Sequence, residues 1–416
     1  MKTRTLIALI IITTALSGSN SIQSIAGKKA ELAPSPPMGW NSWNWWGKRA
    51  INEHLIHETI DAIADSGLKD AGYEFVVIDG GWRDVSLAPN GELLAHPTKF
   101  PNGIKHLADH AHARGLKFGL HTVPGSHDCG GDRVGAWGIE EVHINQFVEW
   151  GLDFIKLDKC RFSFAKDDKQ ENINVKGGWA VQGNLENSYA KWRRLLDASG
   201  RDIVLSAAAY TYHDWYPKLT QMGRTTGDIA NRKNGGAVFD GVTKTRKSVM
   251  TIVQLNNKVA AHAGNGYWND PDMMVTGEQG LSLEEQKAHF ALWCIMSSPL
   301  MLGNDPLAMT NDELEIITNK KAIAVNQDST EQGTKIIDYG DTEVLAKNLE
   351  SGDLAIMLLN RNKQNNKKIS FDLAKVGQPS KRNVYDIWQK KSLGRFDEKV
   401  TLDVKPSACR FIIISK

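Results

Sequence analysis

The sequence predicts a (β/α)8 TIM barrel followed by a small C-terminal antiparallel β-sandwich. Between about Pro36 and Pro299, eight short apolar runs alternate with amphipathic helical stretches, and each run ends in polar or glycine-rich residues. After about Gln327 the segments become short and β-rich. Alternating strands and helices are typical of parallel strands joined by crossover helices, and eight such strands close naturally into a barrel.

The barrel elements follow one another from Met38 to Asp305. The predicted strands are Met38–Trp43, Phe75–Trp82, Lys117–Val123, Phe154–Lys159, Asp202–Ala208, Arg224–Ile229, Trp268–Met274 and Pro299–Asp305. The predicted helices are Glu53–Ala71, Gly103–Arg114, Val142–Trp150, Glu186–Ala198 and Leu283–Met296. A doubly wound open sheet is the alternative, but no Gly-x-Gly-x-x-Gly turn follows the first run. The same absence disfavours a nucleotide-dependent enzyme.

Six segments bounded by Gly, Asn, Asp and Lys predict the sandwich. They are Thr342–Lys347, Leu354–Asn360, Lys368–Asp372, Asn383–Trp388, Val400–Val404 and Cys409–Ser415. We therefore expect a catalytic barrel over residues 30–326 and a β-sandwich over residues 327–416.

Charge and the N-terminus limit the classes of partner. Fifty basic residues against 48 acidic residues give a net charge of +2, so no global field favours nucleic acid or an anionic membrane. Residues 1–26 predict a signal peptide, because Lys2 and Arg4 precede an apolar run over residues 6–16 and small residues follow it. That run is too short to span a bilayer comfortably. We expect a secreted or periplasmic protein.

The residues that close the apolar runs are the candidate site, because barrel enzymes carry their working groups at the carboxyl ends of the strands. These residues are Trp43, Asp79, His121, Lys156, Asp158, Ser206, Arg224, Asp228, Asp270 and Asp272. Several carboxylates with no evident set of metal-ligating histidines predict acid–base or nucleophilic carboxylate chemistry, with neither metal nor cofactor. For Asp270 and Asp272, which flank a proline, a structural role is favoured over substrate contact.

Glycoside hydrolysis needs one ionised carboxylate and one carboxyl that donates a proton. Asp158 suits the ionised role, because strand alternation puts Lys156 on the same face and a nearby cation favours the carboxylate form. A structural ion pair at the strand end is the alternative. Asp228 suits the proton donor, with Arg224 four residues earlier able to orient it. A plain helix N-cap explains Asp228 equally well.

The four cysteines add one open question. Cys129, Cys160, Cys294 and Cys409 do not have the spacing of a zinc site. They allow three pairings, and the sequence pattern does not separate them.

Taken together, the motifs resemble glycoside hydrolase family 27, the α-galactosidase (melibiase) family. The resemblance runs from about Pro36 to Asp305 and continues more loosely through the C-terminal sandwich. The matching segments are Pro37–Trp43, Ile78–Trp82, Lys117–His121, Lys156–Cys160, Arg224–Asp228, Trp268–Met273, Ala291–Trp293 and Ser298–Leu300.

The resemblance implies a retaining mechanism through a covalent glycosyl-aspartate, with Asp158 as nucleophile and Asp228 as acid/base. The substrate-binding positions that we expect are Trp43, Asp79, His121, Lys156, Ser206 and Arg224. The resemblance also implies a Cys129–Cys160 disulfide and buried free thiols at the other two cysteines.

Three departures from the family pattern bear on the substrate. Gly80 stands where the family usually carries a second acid, Ala207–Ala209 replace a Cys, an acid and a Trp, and His121 replaces an aromatic hydroxyl. A lost hydrogen bond to a charged group is worth roughly 1.5–3 kcal/mol. We expect release of terminal α-D-galactosyl residues from oligo- or polysaccharides. The alternatives are α-N-acetylgalactosaminidase, β-L-arabinopyranosidase or isomalto-dextranase-like activity, and a catalytically silent glycan-binding protein.

Overall fold

The structure, a computed structural model, describes residues 31–160, 162–163, 180–181, 184–378 and 380–416. They form a curled eight-stranded parallel sheet and a C-terminal antiparallel β-domain, which confirms the predicted fold class. The predicted signal peptide lies outside the described residues. Within them, no helix combines the length and apolar character needed to cross a bilayer.

The barrel strands follow one another around the sheet, with β8 beside β1. They are β1 Met38–Asn41, β2 Phe75–Ile78, β3 Lys117–Thr122, β4 Phe154–Asp158, β5 Val204–Ala208, β6 Met222–Arg224, β7 Trp268–Asp270 and β8 Leu300–Leu302. Neighbours are parallel, and β1 pairs with both β2 and β8. Beyond β7, a parallel bridge joins Met274 to Leu302 and closes the circle. Strands covered on both faces read as continuous apolar runs, which is why the sequence predicts them well.

The sixth strand is the exception. The predicted run Arg224–Ile229 overlaps the observed strand only at Arg224. After it, the Thr225 hydroxyl donates to Asn256 Oδ1 at 2.6 Å and the Thr226 hydroxyl donates to the Pro271 carbonyl at 2.6 Å. These hydroxyls hold the segment against the helix Val249–Asn257 and the loop after β7, so it leaves the sheet and places Asp228 in a loop.

Helices cover the outside of the barrel. They are Gly47–Ala50, Glu53–Asp65, Leu68–Ala71, Lys105–Ala113, Glu140–Glu149, Leu185–Ala198, Tyr216–Leu219, Val249–Asn257, Leu283–Ile295, Asn311–Ile317 and Lys320–Gln327. The predicted helix Glu53–Ala71 is split at Gly67, whose φ of 88° suits a glycine. Two short strand pairs lie outside the barrel, Arg83–Leu87 with Leu93–Ala95 and Phe162–Ser163 with Ala180–Val181.

The described residues of the C-terminal domain form eight strands. They are β9 Thr334–Asp338, β10 Thr342–Asn348, β11 Leu354–Asn360, β12 Lys367–Asp372, β13 Arg382–Asp386, β14 Lys391–Phe396, β15 Lys399–Val404 and β16 Ala408–Ser415. Six form a sheet in the order β9-β10-β11-β16-β13-β14, and β12 pairs with β15. The sequence missed β9 and β14, because both are edge strands without the apolar alternation of a covered strand. We propose that the domains divide between residues 326 and 327, at the end of the helix Lys320–Gln327.

Candidate active site

A cavity of about 460 Å³ opens at the carboxyl ends of the barrel strands. That volume lies within the usual range for a small-molecule site. Its lining includes seven of the eight predicted catalytic and substrate-binding residues: Trp43, Asp79, His121, Lys156, Asp158, Arg224 and Asp228. Ser206 is the exception. It is buried and lines a small void below the cavity, so the structure does not bring it to the pocket surface.

Asp158 lies at the end of β4 with its carboxylate held on both oxygens. Oδ1 accepts the Cys160 backbone N–H at 3.0 Å, and Oδ2 accepts the Tyr210 hydroxyl at 2.7 Å. His121 Nε2 stands 3.6 Å from the same Oδ2. These donors fix the position of the carboxylate in the pocket.

A buried ion pair stands beside it. Lys156 Nζ donates to Asp79 Oδ2 at 2.7 Å, and Asn41 Nδ2 donates to the same oxygen at 3.1 Å. Burial alone would raise the pKa of Asp79, but the charge of Lys156 and further donors hold that pKa below its usual value. Burial would lower the pKa of Lys156, and the charges of Asp79 and Asp158 raise it instead. Both groups therefore stay charged and present fixed polar atoms to the cavity.

Asp228 is clamped between two arginines. Arg224 Nη2 donates to its Oδ1 at 3.1 Å, and Arg246 Nη1 contacts its Oδ2. Although burial opposes ionisation, the charges of Arg224 and Arg246 lower the pKa of Asp228. Without a bound sugar, this carboxyl is ionised.

Asp272 shares the Arg224 guanidinium with Asp228. Arg224 Nη2 donates to Asp272 Oδ2 at 2.9 Å, and the backbone N–H of Ile229 donates to the same oxygen at 2.8 Å. Burial raises the pKa of Asp272; Arg224 opposes this rise, and the charge of Asp228 adds to it. Asp272 also lines the cavity, whereas Asp270 lines the small void below it; the structural role favoured for both from the sequence stays a prediction.

The lining also includes residues that were not predicted, among them Tyr210, Lys233 and Arg246. Tyr210 directly follows the alanines Ala207–Ala209 and adopts a left-handed φ of 62°. The alanines are fully buried and do not line the cavity. Tyr210, and not these alanines, therefore forms that part of the wall. The sequence signal that could have identified Tyr210 is an aromatic hydroxyl just beyond the end of a strand.

The cysteines pair as the resemblance implies. Cys129 and Cys160 form a disulfide across 31 positions, and Cys294 and Cys409 are buried free thiols. The disulfide joins the loop after β3 to the end of β4, next to Asp158. His121 and Asp158 lie close to both disulfide sulfurs, but the bridge leaves no thiolate there to bind a metal ion.

Comparison with known proteins gives the family. A family model described as alpha galactosidase A matches residues 35–328, and one described as the alpha galactosidase C-terminal beta sandwich domain matches residues 339–414. Alpha-galactosidase 2 of Arabidopsis thaliana is 33% identical over 99% of this chain and 97% of its own length. Alpha-galactosidase A of Cellvibrio japonicus is 37% identical over 82% of this chain and 80% of its own length.

Solved structures agree with this assignment. Alpha-galactosidase I from Mortierella vinacea superposes with a TM-score of 0.80 at 32% identity, covering 92% of this chain and 97% of the other. A β-L-arabinopyranosidase from Geobacillus stearothermophilus shares the fold with a TM-score of 0.76 at 20% identity, covering 93% of this chain and 98% of the other. With the cavity and its carboxylates, these matches show that the chain is a glycosidase and belongs to glycoside hydrolase family 27, the α-galactosidase (melibiase) family.

Proposed function

We propose that this protein hydrolyses terminal α-D-galactosyl residues with retention of configuration, using Asp158 as nucleophile and Asp228 as acid/base. The observation that carries the proposal is the Asp158 carboxylate, which is held on both oxygens at one wall of the cavity that Asp228 also lines. The choice of substrate rests on the relatives, which are named α-galactosidases. A similar α-galactosidase from Saccharomyces cerevisiae has been solved with raffinose.

In the first half-reaction, an Asp158 oxygen bonds to the anomeric carbon while the glycosidic bond breaks. Asp228 donates its proton to the departing glycosidic oxygen, which leaves as an alcohol. Asp79, Lys156 and Arg224 supply the fixed polar atoms that orient the sugar hydroxyls, since each of them lines the cavity. The product is a glycosyl ester of Asp158.

In the second half-reaction, the ionised Asp228 takes a proton from water. The oxygen of that water bonds to the anomeric carbon, and the bond to Asp158 breaks. Two displacements at one carbon return the original configuration. The depressed pKa of Asp228 suits this base step.

The acid step requires a protonated Asp228. In the protein without substrate, the arginines Arg224 and Arg246 hold this group ionised. A bound galactoside excludes water from the cavity, and this raises the pKa of a buried carboxyl. Substrate binding and proton loading at Asp228 are therefore coupled in this mechanism.

β-L-Arabinopyranosidase activity is the second candidate. Gly80 lines the cavity without a side chain, next to Asp79 and Trp43, so the polar contact that the family's usual acid makes with galactose is missing. A related enzyme of this fold is a β-L-arabinopyranosidase. Gly80 is the observation that favours this candidate.

A panel of 4-nitrophenyl glycosides tests both candidates. We expect the highest kcat/KM on the α-D-galactopyranoside, with α-galactose as the first product seen by proton NMR. The α-N-acetylgalactosaminide and β-L-arabinopyranoside are the comparison substrates. No turnover of the α-galactoside together with turnover of another sugar would end the galactosidase proposal, and β-galactose as first product would end the retaining mechanism. Asp158→Asn is the control for background hydrolysis.

We also propose that the protein is exported. The Cys129–Cys160 disulfide supports this, because such bonds persist in oxidising compartments. N-terminal sequencing of the mature protein from the culture medium or periplasm should give a start near residue 27, and an intact Met1 on active protein would contradict export by cleavage.

A further inference from the structure

A strongly basic segment borders the cavity. Between residues 231 and 247 the chain carries five basic residues and one acidic residue: Arg232, Lys233, Lys244, Arg246, Lys247 and Asp240. Lys233 and Arg246 line the cavity beside Asp79 and Asp228. The whole chain is nearly neutral, so this concentration of charge is local.

The segment is anchored at its start and near its middle. At its start, the buried Glu278 carboxylate accepts the Arg232 backbone N–H at 2.9 Å and Asn44 Nδ2 at 3.1 Å. Further along, Arg361 of the C-terminal domain donates to Asp240 Oδ2 at 2.7 Å. The C-terminal domain thereby neutralises the one acid of the segment, and the lysines and arginines beside the cavity remain in excess.

Lys233 is the cation of this segment that lies against Trp43 in the cavity wall. Its Nζ lies 4.2 Å from the centre of the Trp43 ring. In the described part of the chain, no carboxylate lies within ion-pair distance of it, although Asp79 and Glu278 act on it from further away. Burial, together with the charges of Lys156 and Arg246, lowers the pKa of Lys233 to about 8. An anion placed here would relieve that repulsion.

The other cations deeper in the cavity already have partners. Lys156 pairs with Asp79 and Arg224 pairs with Asp228 and Asp272. Gly80 stands beside Trp43 with no carboxylate of its own, and a Cβ there would be 3.5 Å from the nearest Trp43 ring carbon. Lys233 therefore lies on the Trp43 side of the cavity, within electrostatic reach of Arg246, which contacts the proposed proton donor Asp228. The group that departs from Asp228 would leave along this side.

We propose that Lys233, with Arg246 and Lys48 beside it on the cavity wall, binds an anionic group carried by the sugar next to the scissile bond. The preferred substrate is then an acidic galactoside, bearing a carboxylate or a sulfate ester. Lysine and arginine bind both groups through charge-assisted hydrogen bonds. The proposal rests on the proposed galactosidase function and names its substrate class.

Three α-galactosides with open-chain aglycones test it: melibiitol, which is neutral, melibionate, which carries a carboxylate, and melibiitol 1-sulfate. At low salt, we expect kcat/KM on at least one anionic substrate to exceed that on melibiitol about five- to tenfold, as one charge-assisted hydrogen bond to a partly exposed lysine would give. The two anionic substrates together show whether a carboxylate or a sulfate ester is preferred. The preference should shrink in 0.5 M NaCl, because salt screens charges at the mouth.

Lys233→Met keeps the length of the side chain and removes its charge, so the ratio of anionic to neutral kcat/KM should fall to about one. Lys368→Met removes an exposed charge from β12, outside the cavity lining, and should leave the ratio at the wild-type value. Equal kcat/KM on all three substrates, or a preference that survives Lys233→Met, would overturn this inference and leave the galactosidase proposal intact. No turnover of any of the three would overturn the proposed function itself.

Discussion

Replacing Arg246 with Gln should shift the pH range of activity upwards. Arg246 is one of two guanidinium groups that hold Asp228 ionised, and the other is Arg224. Without the Arg246 charge, the pKa of Asp228 rises, because less attraction remains to offset its burial. The proton-donating form then persists to higher pH, and the alkaline limb of the kcat/KM profile moves with it.

The size of the shift in the alkaline limb follows from the solvent exposure of the two side chains. The Arg246 side chain is 38% exposed and that of Asp228 is 27% exposed. Solvent therefore screens their attraction, and exposed ion pairs are worth roughly 0.2–1 kcal/mol. At about 1.36 kcal/mol per pKa unit, the limb should move up by roughly 0.2 to 0.7 units. On that limb, activity at a fixed pH should rise about 1.5- to fivefold.

The assay is kcat/KM against pH on melibiitol, whose alcohol leaving group needs the proton. Arg246→Lys keeps the charge and should keep the wild-type limb within about 0.2 units. A 2,4-dinitrophenyl α-galactoside needs little protonation of its leaving group, so its profile should respond less to Arg246→Gln. An alkaline limb that stays in place or moves to lower pH in Arg246→Gln would refute the proposed electrostatic control of Asp228.

Three further changes probe stability and specificity. Burial raises the pKa of Glu278 to about 7, so the folded protein holds a proton that the unfolded chain releases, and its stability falls as pH rises from about 5 to 7. In Glu278→Gln, the free energy of unfolding from urea titrations should depend less on pH. An unchanged pH dependence would contradict the raised pKa of Glu278. Replacing Cys129 and Cys160 with Ser should lower the free energy of unfolding by about 3–4 kcal/mol, from chain entropy over 31 residues; unchanged urea midpoints would exclude a structural bridge. Gly80→Asp should raise the kcat/KM ratio of α-galactoside to β-L-arabinopyranoside about tenfold, as a hydrogen bond to a carboxylate does. A fall in that ratio would show that the acid does not contact galactose from this position.

The barrel could be predicted because its strands are buried on both faces. A continuous apolar run marks the strand Phe75–Ile78, and the polar residue that follows it, Asp79, marks the cavity. The sixth strand was misplaced, because Thr225 and Thr226 look like β-formers but their hydroxyls donate to a neighbouring helix and a neighbouring loop. The edge strand Lys391–Phe396 was missed because it is largely exposed, so burial leaves no pattern in its sequence.

The cavity wall could be predicted only in part. Asp158 and Lys156 are fixed by a strand, so their spacing along the chain determines their neighbours in space. Lys233 and Arg246 reach the cavity through loop conformation, and no periodicity records that. The density of basic residues between 231 and 247 was a readable signal, but a solvated loop has the same composition.

This difference in predictability has a functional counterpart. Asp158 stands at the end of a barrel strand, where packing fixes its position, and Asp228 stands in the loop beyond another strand, held by Arg224 and Arg246. Other loop residues can change without disturbing the barrel. From the sequence, the alanines Ala207–Ala209 are a departure from the family pattern that bears on the substrate, yet they are buried behind Tyr210. Substrate preference should therefore respond to Gly80 and Lys233, which line the cavity, and much less to conservative changes at the alanines. The kcat/KM ratio of anionic to neutral galactosides, measured for Ala208→Ser and for Lys233→Met, shows which of the two positions controls selectivity. A larger change in the substrate ratio from Ala208→Ser would show that the wall behind Tyr210 controls selectivity after all.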